Sequence, residues 1–276
     1  MPAQIPRRIP KVVRSHFILA IIAITTLLPF AWMFFTSFKP LEEIDQLKFI
    51  PSQWHPENYP KVFEQIPFGT YYFNSVFVAL WVTFLGVLTS AMAAFAFARL
   101  RWRGRDTIFK LYLGTLMIPP IVTMIPNYAL MVKLHLLDSY SALIVPAAFS
   151  AFGTFLLRQF MLSIPRALDE AAWIDGATPW QVFWNVVMPL ARPGLIALAI
   201  FTFLGNYGSF YWPLIMIKSE HIRTLPIGML YFDTIYGRQT NLLMAASVMN
   251  IIPLIILFVS AQKFLVKGIQ LGAVKG

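Results

Sequence analysis

The residues whose types and spacing could do chemistry fall in two places. One is the stretch EAAWIDGATPWQVFWNVVMPLARP, Glu170 to Pro193, which is polar, charged and rich in helix-capping residues inside a chain that is otherwise mostly apolar. A segment of that kind is suited to being read by a partner protein; the plainer alternative is an ordinary loop packed against its own helices. The other is Asn206, Tyr207, Ser209, Phe210, Tyr211 and Trp212, clustered around Gly205, Gly208 and Pro213. Aromatic faces with a few amides and hydroxyls suit a sugar, which offers apolar ring faces and many hydroxyl groups. Bundle packing or an interfacial aromatic belt accounts for the same residue types equally well. Asn127 and Tyr128, just after Pro126, form a weaker candidate pair of the same kind.

Neither place reads as a catalytic centre. There is no GxxxxGK(S/T) phosphate loop, so ATP is not expected to bind in that way. No HExxH, GxSxG or paired-carboxylate arrangement is present, so no catalytic residue and no metal site is expected. With 0 cysteines there is no disulfide framework and no thiol chemistry. Proton and sodium relays are built from ionisable groups at membrane depth, yet all 12 acids fall outside the apolar runs. His16 lies at a membrane edge, and His55, His135 and His221 lie in loops. A transport process driven by a partner is therefore favoured over one driven by an ion gradient, and both over an enzyme.

Those residues must be positioned by membrane helices. The 276 residues are 58% hydrophobic and 12% charged, far from the roughly 25% charged content of soluble domains. The expected fold is all-α and integral to the membrane, a single domain of six transmembrane helices over about 16–38, 70–98, 108–132, 141–162, 195–217 and 241–265. Residues 1–15 and 266–276 are tails, and 163–188 is a helix-turn-helix between the fourth and fifth spans. Pro119, Pro120 and Pro126 cannot all sit in an undisturbed helix, so the third span must be kinked or partly broken. The Ala-rich end of the second span allows close helix approach. No repeat or low-complexity tract is visible.

The net charge of +10 is spread in short basic patches beside apolar runs, which fits insertion signals and not a nucleic-acid surface. In the six-span layout 15 Lys and Arg fall on the side of the tails and of residues 163–188, against 7 on the other, which also holds eight of the acids. The positive-inside rule then puts both termini and the Glu170 segment in the cytoplasm.

Between Ser163 and Met188 the helix ends are legible. Ser163 and Pro165 open a first helix carrying RALDEAAWID, and Gly176 closes it. Thr178 is the N-cap of a second, with Pro179 at its first position and Gln181 completing a capping box; it is expected to end before Pro189. Trp180, Phe183, Trp184 and Val187 recur at helical spacing and make one apolar face.

This segment resembles the cytoplasmic loop of ABC importer permeases, whose pattern is Glu-Ala-Ala, three residues, Gly, then hydrophobics ending in Pro. Glu170, Ala171, Ala172, Gly176 and Pro189 match it, and Asp175, Ala177, Phe183 and Pro193 continue it in the style of the sugar importers. The ending GAVKG, Gly272 to Gly276, is similar to the carboxyl terminus of the maltose-type permease subunit. The resemblance implies a permease chain working with a second permease, two ATPase subunits that carry the ATP and Mg, and an extracytoplasmic sugar-binding protein, with no cofactor of its own. It implies that Glu170, Ala171, Ala172, Asp175, Gly176 and Phe183 couple to the ATPase. Small Ala171 and Ala172 would permit close approach, Gly176 the turn and Glu170 a polar contact, with Gly272 and Lys275 in a secondary contact from the tail. The fifth span departs from the family: Tyr207, Gly208, Ser209 and Phe210 stand where many relatives have Trp-Asn-Asp/Glu-Phe. A glycerol phosphate or another small solute is the alternative cargo of the same machine, and an ion-gradient-driven transporter is the alternative from another class.

Overall fold

The computed structural model describes the backbone of residues 11–234 and 238–273 and the side chains of 15–233 and 238–262. All regular elements among the described residues are helical. Among the described residues three helices, Ser15–Thr36, Phe68–Ala98 and Thr240–Gln262, are long and apolar enough to cross a membrane, and three bent pairs raise the possible number of spans there to 6. The chain divides into two compact units, Met1–Ile66 with Met229–Ile251, and Pro67–Gly228 with Ile252–Gly276.

In the first unit, helix Lys11–Thr36 leads into a loop folded by internal contacts. Asn58 Nδ2 donates to the Ser37 and Lys39 carbonyls at 2.9 and 3.0 Å. The fully buried Lys39 ammonium donates to the Lys48 carbonyl and lies 4.4 Å from the Trp32 ring centroid. Glu43 accepts from the Ser52 amide and hydroxyl; those hydrogen bonds hold its carboxyl below the ordinary glutamate value. The same loop carries a 3-10 turn at Leu41–Glu43 and a short helix at Asn58–Gln65.

The second unit is built around helix Phe68–Ala98, which packs on helices Ala151–Ser163 and Arg192–Tyr207. Its contact side is made of small residues: Ser90, Ala91, Ala94 and Ala98 are buried, so backbones approach closely. Gly153 permits one such approach, since a Cβ there would lie 2.6 Å from Ser90 Oγ and 3.1 Å from Leu198. Leu157, Met161, Val182, Phe183, Val187 and Leu198 complete a buried cluster against this face.

Three expected spans are not single helices. The third breaks between Arg105–Met117 and Pro120–Lys133 with a bend of 101°, as its prolines require; Pro120 begins the second half, where its missing N–H costs nothing. The fourth, expected to be continuous, bends by 41° between Tyr140–Ala148 and Ala151–Ser163. Here Pro146 and the N-cap Ser150, whose Oγ accepts from the Gly153 amide at 2.9 Å, start a new helix. The fifth runs over Arg192–Tyr207, stops at Gly208, and resumes only as the short helix Tyr211–Met216. The last helix continues to Ala273, beyond the expected end of its span.

Candidate functional site

The Glu170 segment is a helix, a turn and a second helix. The first helix spans Ala167–Ile174 and is entered through Arg166, without a side-chain cap. Ser163 does not open it: that residue ends the preceding helix, and its hydroxyl donates to the Phe160 carbonyl at 2.7 Å. Gly176 closes it with φ of 81°. The Ala177 amide donates to the Ala172 carbonyl (2.9 Å) and the Gly176 amide to the Trp173 carbonyl (3.0 Å), the paired bonds of a Schellman ending. The second helix begins with the expected capping box, Gln181 N to Thr178 Oγ1 at 3.3 Å and Thr178 N to Gln181 Oε1 at 2.7 Å. It does not end before Pro189. Val182–Val187 is wound as a π-helix and Met188–Leu190 follows; a widened turn accommodates a residue that cannot supply an α-type hydrogen bond. The chain then turns by 78° into Arg192–Tyr207.

The segment is fastened from beneath. Arg99, the residue after helix Phe68–Ala98, places Nη1 3.2 Å from Asp169 Oδ2, with the two side chains 1% and 2% exposed. Its Nη2 donates to the Ile164 carbonyl at 3.0 Å. Burial pushes the Arg99 guanidinium down and the Asp169 carboxyl up from their ordinary values, against the attraction between them. A buried pair of this kind is weak as a source of net stability, and its use here is to fix the orientation of the two elements it joins. Phe183 is 1% exposed and meets the Phe95 ring at 5.2 Å. The expected single apolar face is thus divided: Phe183 and Val187 point into the bundle, while Trp180 (56%) and Trp184 (40%) are exposed.

What remains outward is a continuous surface. Glu170, Ala171, Asp175 and Gly176 are exposed and Ala172 is half-buried. Trp173, and above all Ile174 at 86% exposure, stand beside them. Neither was singled out from the sequence; the signal available was a Trp-Ile pair following Glu-Ala-Ala with no apolar partner at helical spacing on its own helix. Exposed aromatic and aliphatic anchors around the carboxylates of Glu170 and Asp175 form the composition of a protein-docking surface. Gly272 lies in the last turn of helix Thr240–Ala273, and Lys275 lies outside the described residues.

The second candidate site is a cavity of about 640 Å³. The three helix breaks converge on it: Pro120, Pro146 and Ser209–Phe210 are all in its wall. Irregular backbone within a membrane chain is tolerated where it is buried in protein or lines a cavity. Side chains meet the freed carbonyls: Trp212 Nε1 donates to Ala142 O at 3.0 Å and Thr89 Oγ1 donates to Ala148 O. Asn127, Asn206, Ser209, Phe210, Tyr211 and Trp212 also line the cavity, together with Thr123 and Met124. Six of the eight residues expected along a solute path are thereby brought together. Tyr207 is not among them: it is 2% exposed and stacks on Phe203 at 5.6 Å, because Asn206 and Tyr207 project from different sides of the helix end. Tyr128, one residue from Asn127, lines a separate cavity of about 410 Å³ with Met124, Ile125 and Ile215. No Asp, Glu, Lys or Arg is in the 640 Å³ wall, so this surface offers amides, hydroxyls, ring faces and aliphatic side chains without charge.

Residues 86–270 match the family described as "Binding-protein-dependent transport system inner membrane component". The chain is 36% identical to the arabinooligosaccharides transport system permease protein AraQ of Halalkalibacterium halodurans over 262 residues, 93% of this chain and 94% of the relative. It is 29% identical to the lactose transport system permease protein LacG of Rhizobium radiobacter over 275 residues, 100% of each. Its fold is similar to a chain of a bacterial ABC transporter involved in the import of the acidic polysaccharide alginate, with TM-score 0.82 at 24% identity, covering 95% of this chain and 99% of that one.

Proposed function

The chain belongs to the binding-protein-dependent transport system inner membrane component family, and from that premise we propose that it is one permease of an ATP-driven sugar importer, coupled to a separate ATPase through the Glu170 segment. This reading has six spans with both termini and the Glu170 segment in the cytoplasm, and it is supported by the Lys and Arg distribution. The permease works by alternating access, paired with a second permease, two ATPase subunits that carry ATP and Mg, and an extracytoplasmic sugar-binding protein. The sugar assignment is supported by relatives named for arabinooligosaccharide and lactose transport and by the uncharged wall of the cavity. Asn206 and Tyr211 are assigned to the solute path.

The observation that carries the proposal is the exposed surface of Glu170, Trp173, Ile174, Trp180 and Trp184 over a base locked by the Arg99–Asp169 pair and by Phe183. A partner that seats on this surface moves a rigid corner, and the corner is bonded to helix Phe68–Ala98 and continuous with Arg192–Tyr207, which ends at the cavity. The test is a double substitution, Glu170→Lys with Ile174→Asp, in the purified assembly. The ATPase subunits should be lost or hydrolyse ATP without stimulation by the loaded binding protein, while the permease stays inserted. Normal co-purification together with normal stimulated hydrolysis would remove the docking role.

A further inference from the structure

A different cleft, also about 410 Å³ in volume, lies between the turn that follows helix Phe68–Ala98 and the entrance of helix Ala167–Ile174. Arg101, Arg105 and Arg166 line it, with Trp102, Thr107 and one carboxylate, Asp106. That carboxylate is already engaged, by Arg105 Nε at 2.9 Å and Arg158 Nη2 at 3.9 Å. Arg101 and Arg166 are exposed; Asp169 and Glu170 adjoin them around a small neighbouring cavity, but Asp169 is paired with Arg99 and the wall of the cleft itself holds three arginines against one carboxylate. The cleft therefore presents guanidinium groups in excess, the side chain best matched to phosphate oxygens.

The surroundings decide which phosphate. Trp102 stands at the rim, 39% exposed, with its indole N–H given to the Ala96 carbonyl at 3.4 Å and its ring 5.8 Å from Phe97. From the cleft, helix Arg105–Gly114 carries Ile108 and Leu111 on one side, 48% and 70% exposed. A basic cleft, an interfacial tryptophan and an outward apolar flank follow one another within eleven residues of chain. That order matches a molecule with an anionic head and an apolar tail at the edge of a bilayer. We propose that this cleft binds the headgroup of an anionic phospholipid, with an acyl chain lying along Ile108 and Leu111. The site borders the Glu170 segment through Arg166, so lipid charge bears directly on the base of the docking corner. It requires only a chain embedded in a bilayer, and holds whatever solute is carried.

The assembly with its co-purifying subunits, reconstituted in phosphatidylcholine vesicles with and without phosphatidylglycerol, tests this. Spin-labelled phosphatidylglycerol should associate with it in preference to spin-labelled phosphatidylcholine, and Arg101→Gln with Arg166→Gln should lower that preference by roughly five- to thirtyfold. Arg101→Lys with Arg166→Lys should keep most of it, and Arg103→Gln, outside the cleft wall, should keep all of it. A preference that survives the double glutamine variant overturns the proposal. So does equal competition by inorganic phosphate, which would make the ligand a free anion. Loss of the ATPase subunits with lipid preference intact would assign the arginines to a protein partner instead.

Discussion

Arg99 Nη1 and Asp169 Oδ2 lie 3.2 Å apart with both side chains buried, so the end of the longest buried helix is tied to the residue immediately before Glu170. Removing one partner leaves the other charge buried and unpaired. Asp169→Ala or Arg99→Ala is therefore expected to cost about 3–5 kcal/mol of stability, whereas replacing both by apolar residues of similar volume costs much less. Thermal unfolding of the purified assembly reads the difference. If the pair orients the docking corner, the apolar double variant, although stable, should hydrolyse ATP with weakened stimulation by the loaded binding protein. A stable double variant with full stimulation would reduce the pair to a structural brace.

The cavity and the buried tyrosine beside it separate by their mutants. Asn206 Nδ2 donates to the Thr202 carbonyl at 2.8 Å, which fixes the amide in the cavity wall, and Tyr211 is 69% exposed. Asn206→Ala or Tyr211→Ala should change the relative uptake of competing sugars by roughly two- to tenfold, the worth of a hydrogen bond or a ring contact. Tyr207→Phe should leave selectivity unaltered, since its ring packs on Phe203 inside the bundle. Unchanged uptake ratios in both alanine variants would return the cluster to helix packing.

Asp138 gives a pH dependence of definite sign. Its Oδ1 accepts from the Lys218 and Ser219 amides, each at 2.8 Å, and Oδ2 from the Ser219 hydroxyl. These hydrogen bonds, led by that of the Ser219 side chain, hold its carboxyl below the ordinary aspartate value. A lowered folded-state value means the contribution is complete above the unfolded value of about 3.9 and is lost as pH falls through the folded one. The protection of the Lys218 and Ser219 amides, taken relative to intrinsic exchange at each pH, should be high near neutrality and fall on acidification below that point. Asp138→Asn should abolish the pH step; protection that persists unchanged at the lowest pH would contradict the assignment.

Local chemistry was what the sequence exposed well. Gly176, Thr178, Pro179 and Gln181 announce helix ends by residue type, and the structure has the Schellman bonds and the capping box at those residues. Pro119 and Pro120 likewise announced the broken third span. Less legible were features set by what packs against what. Whether Phe183 or Trp184 turns inward depends on Phe95, almost ninety residues away, and periodicity puts both on one face. The ion pair between Arg99 and Asp169 joins the end of one helix to the first turn of another, with no sequence pattern in common. At Tyr211–Met216 hydropathy continues across a break in the backbone, so an apolar run was taken for one helix. The convergence of that break with those at Pro120 and Pro146 on one cavity is a tertiary fact.

Uptake into vesicles holding the reconstituted assembly, with its binding protein and labelled sugar outside, bears most directly on energy entering through the Glu170 segment. Uptake should require ATP hydrolysis, persist when ionophores collapse every ion gradient, and fail in the Glu170→Lys, Ile174→Asp variant. Uptake that continues without ATP hydrolysis and stops when the gradients collapse would contradict the account.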